Sequence, residues 1–552
     1  MARFNQRSVR PRVSGPARGT GERTVTHEGG PAYVRTAKTD LVFLAMSNMV
    51  GQNTPYESAG RLDDRFRTLV REVAAGDPEG TGDFIAWLRS EANMRSASLV
   101  AAAETAHVML EQGVPGARQV INGALQRADE PGEFLGYWMQ AYGRKLPMAV
   151  KRGVGDAALR LYNERSMLKY DTGSHGLRFG DVIELTHAPD VKGAAQHLAF
   201  PAQGDLFSHA IDRRHARIDR GIPAALTTLI RNKALRLDAK DHPEILLSPE
   251  ALHNAGMTWE DALSLGGQFG LDKRQLWEAM IPSMGYMALL RNLRNFDQAG
   301  VSDAMAAQVA QKLMTPSEVA RSRQLPFRFW SAYKELDSVR WSAALDTALK
   351  LSCANVPELP GRTLVLVDTS GSMNAPISER SKLMRHEAGA LFGAVLATRG
   401  DNVDLVAFAT DPVMLGRPRM GSSPLKVVPM VLGANTNGWG TETAKALRQT
   451  YAGHDQVFVF TDEQSWPDSG HGYGLTGRTR GLYGGGYTVG GDVSSAVPAD
   501  VPLFSFNLGG YAPSMLDLTA PNRYAIGGFS EKLFPLVKQL LAGREAKWPW
   551  EE

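Results

Sequence analysis

At residues 357–361 the chain reads Pro-Glu-Leu-Pro-Gly, and its hydrophobic pattern changes there. Before this hinge, from about Thr39 to about Lys350, apolar residues recur at helical spacing between short breaks such as Gly113-Val114-Pro115-Gly116 and Glu130-Pro131-Gly132. Stretches such as Phe84–Leu88 and Leu99–Ala103 predict helices of one to four turns in close succession, stacked in pairs of a HEAT-like kind without a fixed sequence period. After the hinge, strands are expected at Thr363–Val367, Val403–Phe408, Val427–Leu432, Gln456–Phe460 and Val501–Phe506. Helices are expected over roughly Glu379–Thr398, from Glu442 onward, and over Glu531–Leu541. That alternation predicts a doubly wound α/β domain with a mostly parallel sheet, which binds ligands at the carboxyl ends of its strands. The expected fold class is α plus α/β.

A chain of 552 residues is too long for one core, so at least two domains are required. Their expected bounds are a basic, disordered tail over 1–35, a helical domain over 36–356 and the α/β domain over 361–545. The tail reading rests on eight basic residues in the first 38, Arg3, Arg7, Arg10, Arg12, Arg18, Arg23, Arg35 and Lys38, against Glu22 and Glu28. At 43% hydrophobic and 22% charged the composition is that of an ordinary folded protein. No apolar run approaches the roughly 20 residues of a membrane span. Met1–Pro16 is Arg-rich without the apolar core of a secretory signal, and the one cysteine, Cys353, excludes an intrachain disulfide and a Cys-based zinc cage. A cytoplasmic protein without membrane attachment, monomeric, is the expectation.

The first α/β strand runs into Asp368-Thr369-Ser370-Gly371-Ser372. A carboxylate and two hydroxyls at alternate positions of a turn suit a hard cation, because Mg2+ prefers oxygen ligands in octahedral geometry. Alone, the same residues would serve as an ordinary helix N-cap. Gly440-Thr441 before a later helix and Thr461-Asp462 after the strand Val457–Phe460 add two ligands at strand ends that this fold gathers on one edge. The residues then resemble a von Willebrand factor A domain with an intact metal-ion-dependent adhesion site. That resemblance implies Asp368, Ser370, Ser372, Thr441 and Asp462 as ligands of Mg2+ or Mn2+, with a coordination position left for an acidic group of a partner. A catalytic role is disfavoured. Ser370 stands where a haloacid dehalogenase would carry its second Asp, no Gly-x4-Gly-Lys-Ser/Thr sequence exists to hold a nucleotide, and no histidine adjoins the loop in sequence.

The helical part carries Gly29-Gly30-Pro31-Ala32-Tyr33, Leu161-Tyr162-Asn163-Glu164, and Asp181-Val182-Ile183-Glu184-Leu185-Thr186-His187-Ala188-Pro189. It also carries Leu276–Met284, Ala288–Leu293 and Leu325-Pro326-Phe327-Arg328. These segments resemble the TROVE domain of the Ro 60-kDa ribonucleoprotein family, in a bacterial-type homologue, and the order TROVE then A domain is specific to that family. The resemblance implies a ring of HEAT-like helices closed by the A domain. It implies small structured Y-like RNA on an outer basic surface, and 3′ ends of misfolded or immature RNA in the central hole. RNA quality control, with the protein as scaffold for a 3′–5′ exonuclease and not itself an enzyme, would follow.

Net charge is only +3, so local clusters must carry the case for RNA. Arg144, Lys145, Lys151, Arg152, Arg160, Arg165 and Lys169 stand against only Asp156 and Glu164. Arg213, Arg214, Arg217, Arg220, Arg231, Lys233, Arg236 and Lys240 form a second group. Such excess suits salt-dependent phosphate contacts, the plain alternative being a solvated helix face. His187 and Lys169-Tyr170 match family positions involved in Y RNA binding, with Arg178 as a substitute for a more basic family stretch. Arg291 and Arg294 are three apart on one helix face, in a segment that lines the hole in Ro proteins. The residues expected to contact RNA are thus Lys145, Lys151, Arg152, Arg165, Lys169, Arg178, His187, Arg213, Arg214, Arg217, Arg291 and Arg294. The Gly-rich loop over 468–492, with Tyr473, Tyr483, Tyr487, Arg478 and Arg480, is either a base-stacking or metal-covering element or a plain flexible loop. The competing reading of the chain is a metal-dependent adaptor that captures an acidic residue of a partner protein.

Overall fold

The structure is a computed structural model and describes residues 13–47, 53–173, 176–188, 203–353, 356–376, 383–438, 440–466, 492–528 and 531–551. The chain divides into two compact units, one of Met1–Leu69, Leu325–Ser331 and Leu349–Glu552, the other of Val70–Gln324 and Ala332–Ala348. The α plus α/β class expected from the sequence is observed.

In the first unit a six-stranded sheet has the order β5-β4-β3-β6-β7-β8. Its strands are β3 (Thr363–Asp368), β4 (Val403–Phe408), β5 (Pro412–Gly416), β6 (Gln456–Thr461), β7 (Leu503–Asn507) and β8 (Arg523–Gly527). All pairings are parallel except β4 with β5. Every residue of β3, β4, β6, β7 and β8 is buried, as expected for parallel strands covered on both faces. Helix Arg385–Ala397 lies against this sheet so closely that a Cβ on Gly393 would collide with Val367 Cγ2.

Three sequence expectations are corrected by these elements. Val427–Leu432 is not a strand but the end of helix Pro424–Leu432, which buries Val427, Val428 and Val431 while Met430 is exposed. Its apolar run was too short to fix a period, and Ser423-Pro424 was the helix-start signal. Strands β5 and β8 were missed, β5 because it is a half-exposed edge and β8 because its five residues open on a charged one, Arg523, and leave only a short apolar run. Residues 19–35 are no disordered tail: β1 (Gly19–Val25) pairs antiparallel with β2 (Pro31–Arg35). Counting charge concealed this, since Arg35 is a core residue that pairs with Glu463 and donates to the Tyr511 carbonyl at 2.7 Å. Helix Ala37–Ser47 likewise joins this unit, being apolar nearly all round and packed with Phe43 and Met46 against Gly527 and Gly528 at the end of β8.

At the opposite end of the strands from the predicted ligands, buried Asp404 on β4 accepts hydrogen bonds from Arg417 (2.6 Å), His454 (2.9 Å) and Arg362 (3.1 Å). Burial works to raise its pKa, but those three donors outweigh it and hold the carboxyl well below the usual range. A depressed folded-state pKa contributes stability that is present above about pH 4 and lost as pH falls below it. Both arginines still reach water, so Asp404→Asn is expected to cost about 2–3 kcal/mol at pH 7, less than a fully buried pair. Denaturant melts of both proteins should show the deficit shrinking as pH falls below about 4.

The second unit is helical among its described residues. Successive helices pack on one another: Ala117–Ala124 touches both Arg95–Gln112 and Met148–Leu161, and Phe179–Thr186 touches Met148–Leu161 and Gln203–Arg214. At Gly153 the backbone of one helix comes so close to the next that a Cβ would lie 2.9 Å from the Arg118 carbonyl and from Ile121 Cβ. Fully buried Glu130 joins three helices, accepting from Arg89 (2.6 Å), Arg95 (3.0 Å) and the Gln126 amide (2.6 Å). The chain after Thr258 builds its core around Trp259, Trp277, Phe296 and Trp341, each ring against the next.

Candidate functional site

Asp368 ends β3, and Asp462 follows the last residue of its parallel neighbour β6, so strand register alone brings the two carboxylates to one edge of the sheet. Ser370 opens a short turn over Gly371–Met373, and its Oγ lies 3.4 Å from Ser372 Oγ. Thr441 stands just before helix Thr443–Thr450; its carbonyl accepts the Trp466 amide at 2.9 Å, which ties the Thr441 segment to the one carrying Asp462. The Thr369 and Thr436 hydroxyls, 2.8 Å apart, tie it to the first loop as well. Asp368, Ser370, Thr441 and Asp462 are all buried.

The residues that meet here fit a cation. Asp368 accepts from the Ser370 amide (2.8 Å) and the Thr461 hydroxyl (2.6 Å), while Asp462 Oδ2 is buried without a hydrogen-bond partner. Burial, and then the neighbouring Asp462 charge, push Asp368 up to about 7; burial raises Asp462 too. Two buried carboxylates that resist ionisation together, one with an oxygen left over, suit a divalent ion that would hold both charged. Among the described residues no group of three or more His, Cys, Asp or Glu gathers, so such an ion relies on the hydroxyls of Ser370, Ser372 and Thr441. A histidine does reach this loop in space: His386 Nδ1 lies 3.2 Å from the Met373 carbonyl.

In the helical unit the predicted RNA-binding residues fall into separate groups. Arg178, Arg213 and Arg217 line one cavity of about 340 Å3 together with Lys233 and His209. Arg178 and Arg213 both pair with buried Asp171 at 3.1 Å, and Arg217 pairs with Asp212 at 3.2 Å. Burial, with Arg213 beside it, lowers the His209 pKa, so this ring presents a neutral donor or acceptor among the cations. Arg214, on the same helix, pairs with Asp181.

Lys169 lines a second cavity of about 550 Å3, with Trp259, Tyr286, Lys312 and Arg321. Its ammonium stands 5.2 Å from the centre of the Tyr170 ring. Arg165, one turn earlier, donates to the His253 carbonyl at 3.0 Å. His187 is exposed and left-handed, φ +48°, where it ends helix Phe179–Thr186. Lys145 and Arg152 are exposed and Lys151 half-buried around the start of helix Met148–Leu161, and Arg291 is exposed on helix Tyr286–Ala299. Arg294 is held at 3.0 Å by Glu335, an exposed ion pair. His209 was missed in the sequence, where a lone histidine in an Arg-rich helix gives no signal. The loop over 468–492 lies, but for Asp492, outside the described residues.

Comparison with known proteins agrees with this division. The family model of the TROVE domain matches residues 253–339, and that of the von Willebrand factor type A domain matches residues 363–464. Telomerase protein component 1 of Mus musculus is 39% identical over 84 residues, 15% of this chain, and that of Rattus norvegicus is 40% identical over 82 residues, 14% of this chain. The chain spans only 3% of the length of these curated relatives. The crystal structure of the Deinococcus radiodurans Ro (RSR) protein is similar in fold, with a TM-score of 0.57 at 17% identity, over 91% of this chain and 99% of that one.

Proposed function

We propose that this chain, a TROVE and von Willebrand factor A protein of Ro type, binds RNA and does not cleave it. The observation that carries the reading is the cavity where Arg178, Arg213, Arg217 and Lys233 gather from separate helical segments beside neutral His209. Phosphate binding of that kind gives affinity without much sequence preference. A small structured, Y-like RNA is the proposed ligand of this basic surface, and single-stranded 3′ ends of misfolded RNA are the second ligand. An RNA held in this way would scaffold a 3′–5′ exonuclease for RNA quality control in the cytoplasm. In the A domain, Asp368, Ser370, Ser372, Thr441 and Asp462 would hold Mg2+ or Mn2+, which supplies a fixed positive charge and a rigid loop cluster.

The test is to purify the protein from its own cells and sequence the RNA that accompanies it. One abundant small structured RNA supports the reading; no RNA above background moves the choice to the adaptor, in which the metal site captures an acidic residue. The surface itself is tested with Lys169→Ala combined with His187→Asn, asparagine being chosen because it tolerates the left-handed backbone at 187. Filter binding should show structured-RNA affinity reduced about tenfold with an unchanged melting temperature, since both side chains can reach phosphate and neither holds the fold together. Equal affinity would remove these two residues from the interface.

A further inference from the structure

The cavity of about 550 Å3 that Lys169 lines joins an aromatic wall to a set of cations, and all its lining residues fall between Lys169 and Ser322, within the helical unit. The wall starts at Trp259, the first residue of helix Trp259–Gln268, where the Thr258 hydroxyl caps the helix by accepting the Asp261 amide at 3.1 Å. The Trp259 ring stacks on buried Trp277 at 5.5 Å with 25° between the planes, and Trp277 is held edge-on by Phe296 at 5.0 Å. Trp277 thus covers one face of the Trp259 ring, and the half-buried ring gives what remains of its surface to the cavity. Buried Tyr286, whose hydroxyl donates to the Leu313 carbonyl at 2.9 Å, is a second fixed piece of the wall. Met257, Met280, Met284 and Met287 complete the apolar lining with soft, adaptable side chains.

Three cations, Lys169, Lys312 and Arg321, stand in this lining against two carboxylates, Glu260 and Glu318. Lys312 donates to the Met284 carbonyl at 2.9 Å, which keeps its ammonium at the cavity wall. Lys169 is exposed on helix Glu164–Tyr170, and Arg321, its side chain 74% exposed, pairs with Glu318 at 3.0 Å, an ion pair that water weakens. A rigid indole beside a surplus of cations suits a nucleotide, the ring taking the base and the cations its phosphates. A base paired within a helix keeps both faces in its own stack, so only an unpaired one can be splayed out onto a side chain. The volume lies within the roughly 300–1,000 Å3 of pockets that enclose one small molecule, and so suits one nucleotide rather than a run of them. We propose that this cavity takes a single unpaired base of the bound RNA, stacked on Trp259, with the adjoining phosphates against Lys169 and Arg321. The inference rests on the RNA-binding reading given above. It adds that an RNA is chosen by an unpaired nucleotide and not by charge alone.

The experiment uses the full chain and two hairpin RNAs that carry the fluorescent base 2-aminopurine, in one as a single-nucleotide bulge and in the other paired within the stem. Binding is expected to quench the bulged base, which stacks on the indole, and to leave the paired one unchanged, the bulged RNA binding about tenfold or more tightly. Trp259→Leu, which keeps apolar bulk against Trp277, should lose the quenching and about tenfold in affinity for the bulged RNA, whereas Trp259→Phe, which keeps an aromatic face, should retain the quenching and most of the affinity. Both variants lose the indole packed on Trp277, so a folding defect would affect both alike, and only the leucine lacks a ring. Equal binding of the bulged RNA by Trp259→Leu and wild type, or binding without quenching, overturns the base pocket while RNA binding stands. Adenosine monophosphate bound as tightly as the bulged RNA would make the cavity a mononucleotide site and overturn it too. A wild-type chain that binds neither hairpin overturns the RNA-binding reading and this inference with it.

Discussion

Asp368→Ala is expected to abolish stoichiometric Mn2+ binding, lowering affinity roughly a hundredfold or more, since even groups that only support a ligand are worth about 10–100-fold. Asp368 is the residue at which the sheet and the site meet. It ends the central strand β3, is fully buried, and is bonded by the Ser370 amide and the Thr461 hydroxyl, so its position is set before any ion arrives. The second readout is thermodynamic. An ion that binds only the folded chain stabilises it by about 2.7 kcal/mol at a hundred times its dissociation constant. The wild-type melting temperature should therefore rise with Mn2+ while that of Asp368→Ala stays level. Retained stoichiometric metal in the variant, or metal-independent melting of the wild type, would remove the assignment.

What could be read in advance and what could not divides along sequence distance. The predicted metal ligands are local: Asp368, Ser370 and Ser372 fall within five residues, and Thr441 and Asp462 stand next to recognisable helix and strand ends. The central strands were legible because parallel strands buried on both faces write themselves as unbroken apolar runs. Edge strand β5 and the Pro424–Leu432 helix had no such unambiguous pattern. Arg35 reaches Glu463 of the A domain from 428 positions away, so no local pattern announces it. In the helical unit, clustering of charge found the arginines but not their employment. Arg294 is paired with Glu335, and Arg213 both anchors buried Asp171 and lines the basic cavity.

That double employment decides how the proposed RNA surface should be tested. Arg213→Glu would remove one of the two arginines on buried Asp171, and weaker RNA binding could then follow from local unfolding. Arg217 and Lys233 are the better choice. Arg217 is exposed and shares Asp212 with Arg220, and Lys233 is exposed on helix Thr227–Asp238. The double variant Arg217→Gln, Lys233→Gln should hold its stability within about 0.5 kcal/mol, as surface changes do. Its affinity for a structured RNA should fall about 10–100-fold near 0.1 M salt, and the slope of log affinity against log salt should drop by about 0.9 for each phosphate that is no longer neutralised. Arg118→Gln is the control: it removes a cation of the same unit that is exposed but held at both Asp156 oxygens. A decrease equal to that of the control would mean that net charge alone attracts RNA. A decrease confined to the double variant, with the reduced salt slope, would locate phosphates in the cavity of Arg178, Arg213, Arg217 and Lys233.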